Sequence, residues 1–280
     1  MSDITFIHLD EIDSTNTYLK NLPRDTNQPY VAVRADYQTA GRGQRGNTWH
    51  SARGENLLCS IRHHPTFLRP DQQFILSQLI ALAIHDTLSG LLPDANEHLR
   101  IKWPNDIYWD DRKLCGILIE YELSGTAIEQ AIIGFGVNVN QSDFGEAPGD
   151  TTLRLPGRDL IGATYRPTSM RNIIAQQVNK STSQQAVFDI PTLFQTITER
   201  YVTSVSLLNS QPSTVNAQLS TINSRYIHRL YRLGTLSRFR DAAGDFTATI
   251  EGVNPDGTLC LRLDDGTLRH YEFKQVAYIL

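Results

Sequence analysis

Two short stretches of this chain carry groups suited to handling anions. Tyr37-Gln38-Thr39-Ala40-Gly41-Arg42-Gly43-Gln44-Arg45-Gly46 offers flexible backbone N–H donors flanked by two guanidinium groups, which suits a phosphate. Lys102-Trp103-Pro104-Asn105-Asp106 places a cation, an aromatic ring, an amide and a carboxylate on one short loop, and Arg112-Lys113-Leu114-Cys115-Gly116 opens the next segment with cations. Together they point to a site where a nucleotide phosphate meets a second, carboxylate-bearing substrate.

Glycines and turn residues at such spacing also serve different purposes. Gly41-x-Gly43-x-x-Gly46 satisfies the letters of the dinucleotide fingerprint, which also demands a helix directly after it and an acidic residue about twenty positions on. Residues 46–56 do not read as a helix, and the chain has His63, His64, Pro65 and Thr66 where the carboxylate belongs. A structural glycine loop explains the glycines but not Arg42 and Arg45. Trp-Pro-Asn-Asp alone fits a strand end and turn; its coincidence with the glycine loop and with Arg112-Lys113 favours chemistry. The cysteines Cys59, Cys115 and Cys260 are scattered and odd in number, which argues for a reducing compartment and small buried apolar side chains rather than disulfides or zinc. His63, His64 and His228 show no paired ligand spacing and read as surface or loop residues.

The elements that must position these groups follow from periodicity. Strands are expected at 6–9, 30–34 and 57–61, with Asp13-Ser14-Thr15-Asn16 capping a short helix through Thr17, Tyr18 and Leu19. Apolar residues at helical spacing over 74–92 predict a core helix. Residues 101–109 and 114–120 read as a hairpin turning at Asp110-Asp111, and 131–140 as a strand whose Gly134 and Gly136 admit a close neighbour. Helical segments follow near 168–188, 191–208 and 214–223. From residue 234 come short strands at 235–239, 246–253, 258–263 and 267–273, separated by Ala243-Gly244-Asp245, Asn254-Pro255-Asp256-Gly257 and Asp264-Asp265-Gly266, the pattern of a small SH3-like barrel.

The 280 residues, 40% hydrophobic and 20% charged, describe an ordinary globular chain with room for one large domain and one small one. The net charge of −4 gives no basic footprint for DNA or RNA. No charged and apolar leader opens the chain, and the longest apolar run, 79–84, is too short to cross a bilayer, so cytoplasm is the expected location.

Gln38-Thr39-Ala40-Gly41-Arg42-Gly43, Lys102-Trp103-Pro104-Asn105-Asp106, Arg112-Lys113-Leu114-x-Gly116-Ile117-Leu118-x-Glu120 and Gly134-x-Gly136-x-Asn138, in that order and spacing, resemble the biotin protein ligases. The resemblance extends through the C-terminal strands, and Asp13-Ser14-Thr15-Asn16 also fits. It implies an α+β fold: a class II aminoacyl-tRNA-synthetase-like biotin/lipoate ligase catalytic domain over 1–230 and an SH3-like β-barrel over 231–280. It implies that biotin and MgATP form biotinyl-5′-AMP, whose acyl group passes to a lysine of a biotin carboxyl carrier domain of a biotin-dependent carboxylase. Lys113, Arg42 and Asp106 are then the expected catalytic residues. Ser14, Thr15, Asn16, Gln38, Arg42, Gly43, Gln44, Lys113, Gly116, Gly134 and Gly136 are expected around biotin. Arg42, Arg45, Gly46, Trp49, Lys102, Asn105, Asp106 and Asn138 are expected around ATP, with Mg²⁺ arriving on the nucleotide and no metal ligand assigned. Trp103 is a second candidate beside the adenine.

A lipoate ligase, which shares the fold, and a non-catalytic binder of biotin or its adenylate are the rival readings. The Gly-Arg-Gly loop and Lys-Trp-Pro-Asn-Asp favour biotin, and Lys113 with Arg42 argues against a decayed site. Some members of the family carry an N-terminal winged helix-turn-helix; here the catalytic pattern begins almost at Met1, so no DNA role is expected. Members of the family occur as monomers and as dimers, and a homodimer is the expectation here. The family's glycine loop commonly carries basic residues where this chain has Gln44 and Asn47, so adenylate should escape faster unless Arg45 or Arg53 compensates. Stoichiometric release of adenylate after one turnover is the expected result; retention over many minutes counts against it.

Overall fold

The structure, a computed structural model, describes residues 3–25, 27–145, 153–155, 158–160, 166–177, 187–210 and 215–279. The chain runs from β1 (Ile4–Ile12) through helix α1 (Thr15–Asn21) to β2 (Tyr30–Gln38), β3 (Leu57–His63) and helix α2 (Phe74–Ser89). A short α3 (Ala95–His98) leads to β4 (Leu99–Lys102), β5 (Asp106–Trp109), β6 (Arg112–Ser124) and β7 (Ala127–Val137). These seven strands form a mixed sheet in the order β1-β2-β3-β7-β6-β5-β4. Only β1 and β2 in that path run parallel, because α1 supplies the crossover between them. A small hairpin, β8 (Leu153–Leu155) and β9 (Arg158–Leu160), stands apart, and β10 (Arg166–Pro167) adds to β6.

Helices cover both faces. α2 is buried nearly all round and lies between the sheet and α5 (Ile190–Ser210) and α6 (Val215–Ile227), while α4 (Met170–Gln177) follows β10. On the opposite face, among the described residues, α1 is the helix that packs, with Leu19 against Val31, Val33 and Ile132. The C-terminal unit is a five-stranded antiparallel sheet made of β11 (Leu236–Asp241), β12 (Gly244–Val253), β13 (Leu259–Leu263), β14 (Leu268–Tyr271) and β15 (Ala277–Ile279). It docks on the large sheet, where the Trp103 indole N–H donates to Gly257 O at 2.9 Å and the Tyr231 N–H donates to Ile101 O at 2.8 Å. No helix among the described residues is long and apolar enough to cross a membrane.

Several expectations change in detail. Residues 101–109 are two strands, because Pro104 has no N–H for a ladder and Asn105 turns its amide to Ile117 O at 2.6 Å. The helix after Ser14 begins at Thr15, and no side chain caps it, since Thr15 and Asn16 turn inward. The 168–188 segment is helical over Met170–Gln177, and residues 178–186 lie outside the described residues. The strand β15 is not foreseen by the sequence pattern. His63 is buried and bonded to the Tyr201 hydroxyl at 2.8 Å, a core histidine rather than a surface one; burial pushes its imidazole down to about 3.

Arg62 fixes α1 in place. It is 3% exposed, projects from β3 toward α1, and donates to the carbonyls of Leu19, Leu22 and Pro23 at the helix's end. Arg62→Ala leaves these carbonyls without their donor and should lower unfolding free energy by about 2–4 kcal/mol. Urea unfolding measures this, and a loss no larger than that of a surface arginine would show the clamp to be dispensable.

Candidate active site

Strand register creates the hollow. Ser60 of β3 lies opposite Gly134 of β7, which lies opposite Leu118 of β6; one step along, Leu58, Gly136 and Gly116 align in the same way. Side chains on one face of a sheet recur every second residue, so these six positions share the face that α1 covers. Ile132 fills that face under α1, and then Gly134, Gly136 and Gly116 leave it bare. The result is a cavity of ≈ 780 Å³ that also reaches Lys102, Asp106 and the C-terminal sheet.

The bare strip is needed because other side chains lie in it. A Cβ on Gly134 would sit 2.1 Å from Asn16 Oδ1, and one on Gly136 would sit 2.6 Å from the Trp49 indole. Asn16 Nδ2 donates to Glu120 at 2.8 Å, and Gln38 Oε1 accepts the Thr15 N–H at 2.7 Å and its hydroxyl at 3.0 Å. The fully buried Ser60 hydroxyl lies 2.7 Å from Thr15 Oγ1 and 2.6 Å from Asn16 Oδ1. One hydroxyl proton thus faces two acceptors, and the network is short of a donor.

At the other end, Lys113 Nζ pairs with Asp106 Oδ1 at 2.9 Å, with both side chains about four-fifths buried. Lys102 approaches the same carboxylate but bonds the Tyr108 hydroxyl at 3.0 Å and faces the rings of Tyr108 and Tyr278. Burial pushes its ammonium down to about 8; Asp106 works against this, while Lys113 and Arg232 add to it.

The glycine loop folds back on itself. Gly43 N–H donates to Asn47 O at 2.7 Å and Trp49 N–H to Gly41 O at 2.9 Å, and a Cβ on Gly41 would meet Trp49 O at 2.4 Å. The Gly43 amide is therefore committed inside the loop, which shifts anion recognition there toward side chains. Arg42 reaches across to Glu120 with two hydrogen bonds of 3.0 and 3.2 Å, still half exposed.

Of the residues expected at the site, Ser14, Thr15, Asn16, Gln38, Arg42, Gly43, Gln44, Gly46, Trp49, Lys102, Asn105, Asp106, Lys113, Gly116, Gly134 and Gly136 line this one cavity. The Arg45 side chain lies outside the described residues. Asn138 does not line the cavity. It is buried beneath Lys113, with its amide donating to Lys113 O at 3.5 Å and Thr168 O at 2.9 Å, so it holds the strand rather than facing a nucleotide. Trp103 borders the cavity but packs as core under the C-terminal sheet. Sequence reasoning gave no role to Ser60 or Glu120; a hydroxyl inside Leu57-Leu58-Cys59-Ser60-Ile61 and a carboxylate inside an apolar strand were the available signals. The His8, Asp10 and Asp36 side chains cluster on β1 and β2, outside the cavity.

This geometry can be set beside known proteins. The biotin/lipoate A/B protein ligase family matches residues 9–138. The biotin–[acetyl-CoA-carboxylase] ligase of Paracoccus denitrificans is 36% identical over 256 residues, covering 89% of this chain and 91% of that protein. The chain belongs to this family. The bifunctional ligase/repressor BirA of Escherichia coli (strain K12) is 38% identical over 171 residues, 59% of this chain, and the match spans only half of the BirA length. In structure, the biotin protein ligase of Aquifex aeolicus in complex with biotin and ATP superposes with a TM-score of 0.71 at 21% identity, covering 98% of this chain and 97% of that one, a likeness of fold.

The buried Lys102 ammonium has a measurable signature. Below pH 8 both folded and unfolded chains hold its proton, and the fold carries the desolvation penalty. Between about 8 and the ordinary 10.5 the unfolded chain binds more protons, so this group makes stability rise with pH. Lys102→Met should therefore raise the melting temperature at pH 7 by about 2–4 °C. The gain should shrink across that window; thermal scans at pH 7 and 10 measure both, and a variant that melts lower at pH 7 rules the account out.

Proposed function

We propose that this chain is a biotin–protein ligase, which activates biotin with ATP and transfers it to a lysine of a biotin carboxyl carrier domain. The observation that carries the reading is the Lys113–Asp106 pair, set between a hollow stripped to glycine and a cationic end of the same cavity. The family membership and the Aquifex aeolicus neighbour, solved with biotin and ATP, support it.

The bicyclic ring of biotin has ureido N–H groups and an oxygen, and an otherwise apolar body. A ligand N–H supplies the donor missing among Ser60, Thr15 and Asn16, and the missing side chains at Gly134 and Gly136 let Asn16 and Trp49 lie close over the sheet in the wall of the same cavity. Its chain then points the carboxylate toward Lys113. One carboxylate oxygen attacks the α-phosphorus of ATP, the bond from that phosphorus to the bridging oxygen breaks, and pyrophosphate leaves. Two anions meet in this step, and Lys113 offsets their repulsion and the charge of the developing acyl phosphate. Arg42 of the glycine loop closes over the phosphates from its seat on Glu120.

In the second step the carrier lysine's amine attacks the acyl carbon, AMP leaves, and the amine loses its proton. Asp106 and Asn105, which line the cavity, orient that amine. Asp106 is the one carboxylate among the described lining residues and is already paired with Lys113; a Mg²⁺ ion accompanying ATP would supply further positive charge against the phosphates. Residues 1–230 form the catalytic unit in this reading and 231–280 the barrel that covers it. An ATP-dependent reaction of this kind fits a cytoplasmic enzyme.

Incubating the protein with ATP, Mg²⁺ and an apo carrier domain, with either biotin or lipoate, and weighing the carrier tests the reading. A mass gain with biotin alone is expected; a gain with lipoate alone, or with neither, refutes it. Lys113→Ala should lower adenylate formation at least about a hundredfold, while a wild-type rate removes that side chain from the chemistry.

A further inference from the structure

We infer that Glu120 is a positioning residue that sets the hydrogen-bond polarity of the cavity's neutral end, so that the site selects a ligand by its ring N–H; this rests on the ligase reading above. Glu120 is not among the residues that line the cavity. It acts through Asn16, which is.

The Asn16 side chain has a donating and an accepting end, and its orientation decides what the cavity presents. Nδ2 donates to Glu120 Oε2 at 2.8 Å, while Oδ1 lies against the glycine strip, 2.6 Å from the Ser60 hydroxyl. An amide turned the other way would donate to Ser60 Oγ. The Ser60 proton would then go to Thr15 Oγ1, 2.7 Å away, and the Thr15 proton to Gln38 Oε1, 3.0 Å away. Each of these hydroxyls would be matched with no ligand present.

Glu120 excludes that arrangement from β6. Reversal would set Asn16 Oδ1 against a carboxylate, which only accepts. A hydrogen bond to an ionised acceptor is roughly twice as strong as one between neutral groups, so Glu120 outweighs the Ser60 hydroxyl. The carboxylate is itself held in place: Arg42 donates to Oε2 at 3.2 Å and to Oε1 at 3.0 Å. Glu120 therefore imposes the shortage of donors on the network.

Ser60 is fully buried and Asn16 is 4% exposed, so an unmet acceptor there is costly. A ligand N–H removes that cost. A ligand acceptor in the same place adds a repulsion instead. A cyclic urea brings the N–H; a dithiolane ring, or a ring with oxygen in place of the N–H, does not.

Calorimetry on the full chain tests this with biotin and two analogues, each with a ring oxygen in place of one or the other ureido N–H. Wild type should prefer biotin over at least one analogue by about a hundredfold. Glu120→Met keeps the length but removes the acceptor, and the preference should shrink roughly tenfold. Glu120→Gln keeps an acceptor oxygen while giving up the charge facing Arg42, and should restore most of the preference. A merely structural role weakens all three ligands alike. An undiminished preference in Glu120→Met overturns the inference, and so does an equal loss in both variants, which would place the effect in the Arg42 ion pair. If wild type binds none of the three, the ligase reading fails instead, and nuclear Overhauser contacts of the Asn16 amide protons decide. Protons beside Glu120 in wild type and beside Ser60 in Glu120→Met uphold the positioning role; the same orientation in both refutes it.

Discussion

Two ammonium groups compete for one carboxylate, and the rest of the site is arranged around that imbalance. Lys113 takes Asp106 at 2.9 Å, and Lys102, on the strand before the Trp103-Pro104-Asn105 turn, is left with a phenol and two ring faces. Burying a cation without full compensation is costly. The fold carries that cost where an anion would relieve it, so binding energy from a carboxylate and a phosphate can be directed at the reacting atoms. The same burial that makes the cation costly also excludes the water that would screen it.

The neutral half of the cavity depends on backbone register rather than charge. Three glycines on two neighbouring strands fall on one face because Gly134 pairs with Leu118 and Gly136 with Gly116. A slip of one residue would turn Ile133 and Phe135 into the hollow and the glycines toward α2. Arg62 serves the same end from β3, since its grip on the last carbonyls of α1 keeps Thr15 and Asn16 facing the glycines. Pocket shape and helix position are thus one problem with one solution.

Glu120 connects the two halves. It accepts the Asn16 amide on the neutral side and the Arg42 guanidinium on the loop side. A loop arginine that is half exposed and held by a carboxylate is ready to change partners, because an ion pair of that exposure is worth little. The C-terminal sheet encloses the charged end, with Trp103 as a fixed point of the docking through Gly257 O.

Much of this was legible in the sequence. The glycine loop, Lys102-Trp103-Pro104-Asn105-Asp106, Arg112-Lys113 and the paired glycines of β7 named the chemistry and the family, because residue types that bind phosphate and carboxylate are few and their spacing is constrained by short loops. Periodicity located α2 and four of the five C-terminal strands, since those patterns are local. What remained hidden was set by distance in space. Ser60 and Glu120 join the site through cross-strand register, and Asn138 leaves it because its amide is drawn under Lys113 to Thr168. His63 lies in the core because Tyr201, far along the chain, meets it. The strand β15, which brings Tyr278 to the cavity, is too short to announce itself and exists because β11 offers it an edge. The sequence by itself determined which cationic and glycine-rich stretches this protein carries; the tertiary structure decided which side chains share one cavity, because contacts between strands depend on register and packing that no local pattern records.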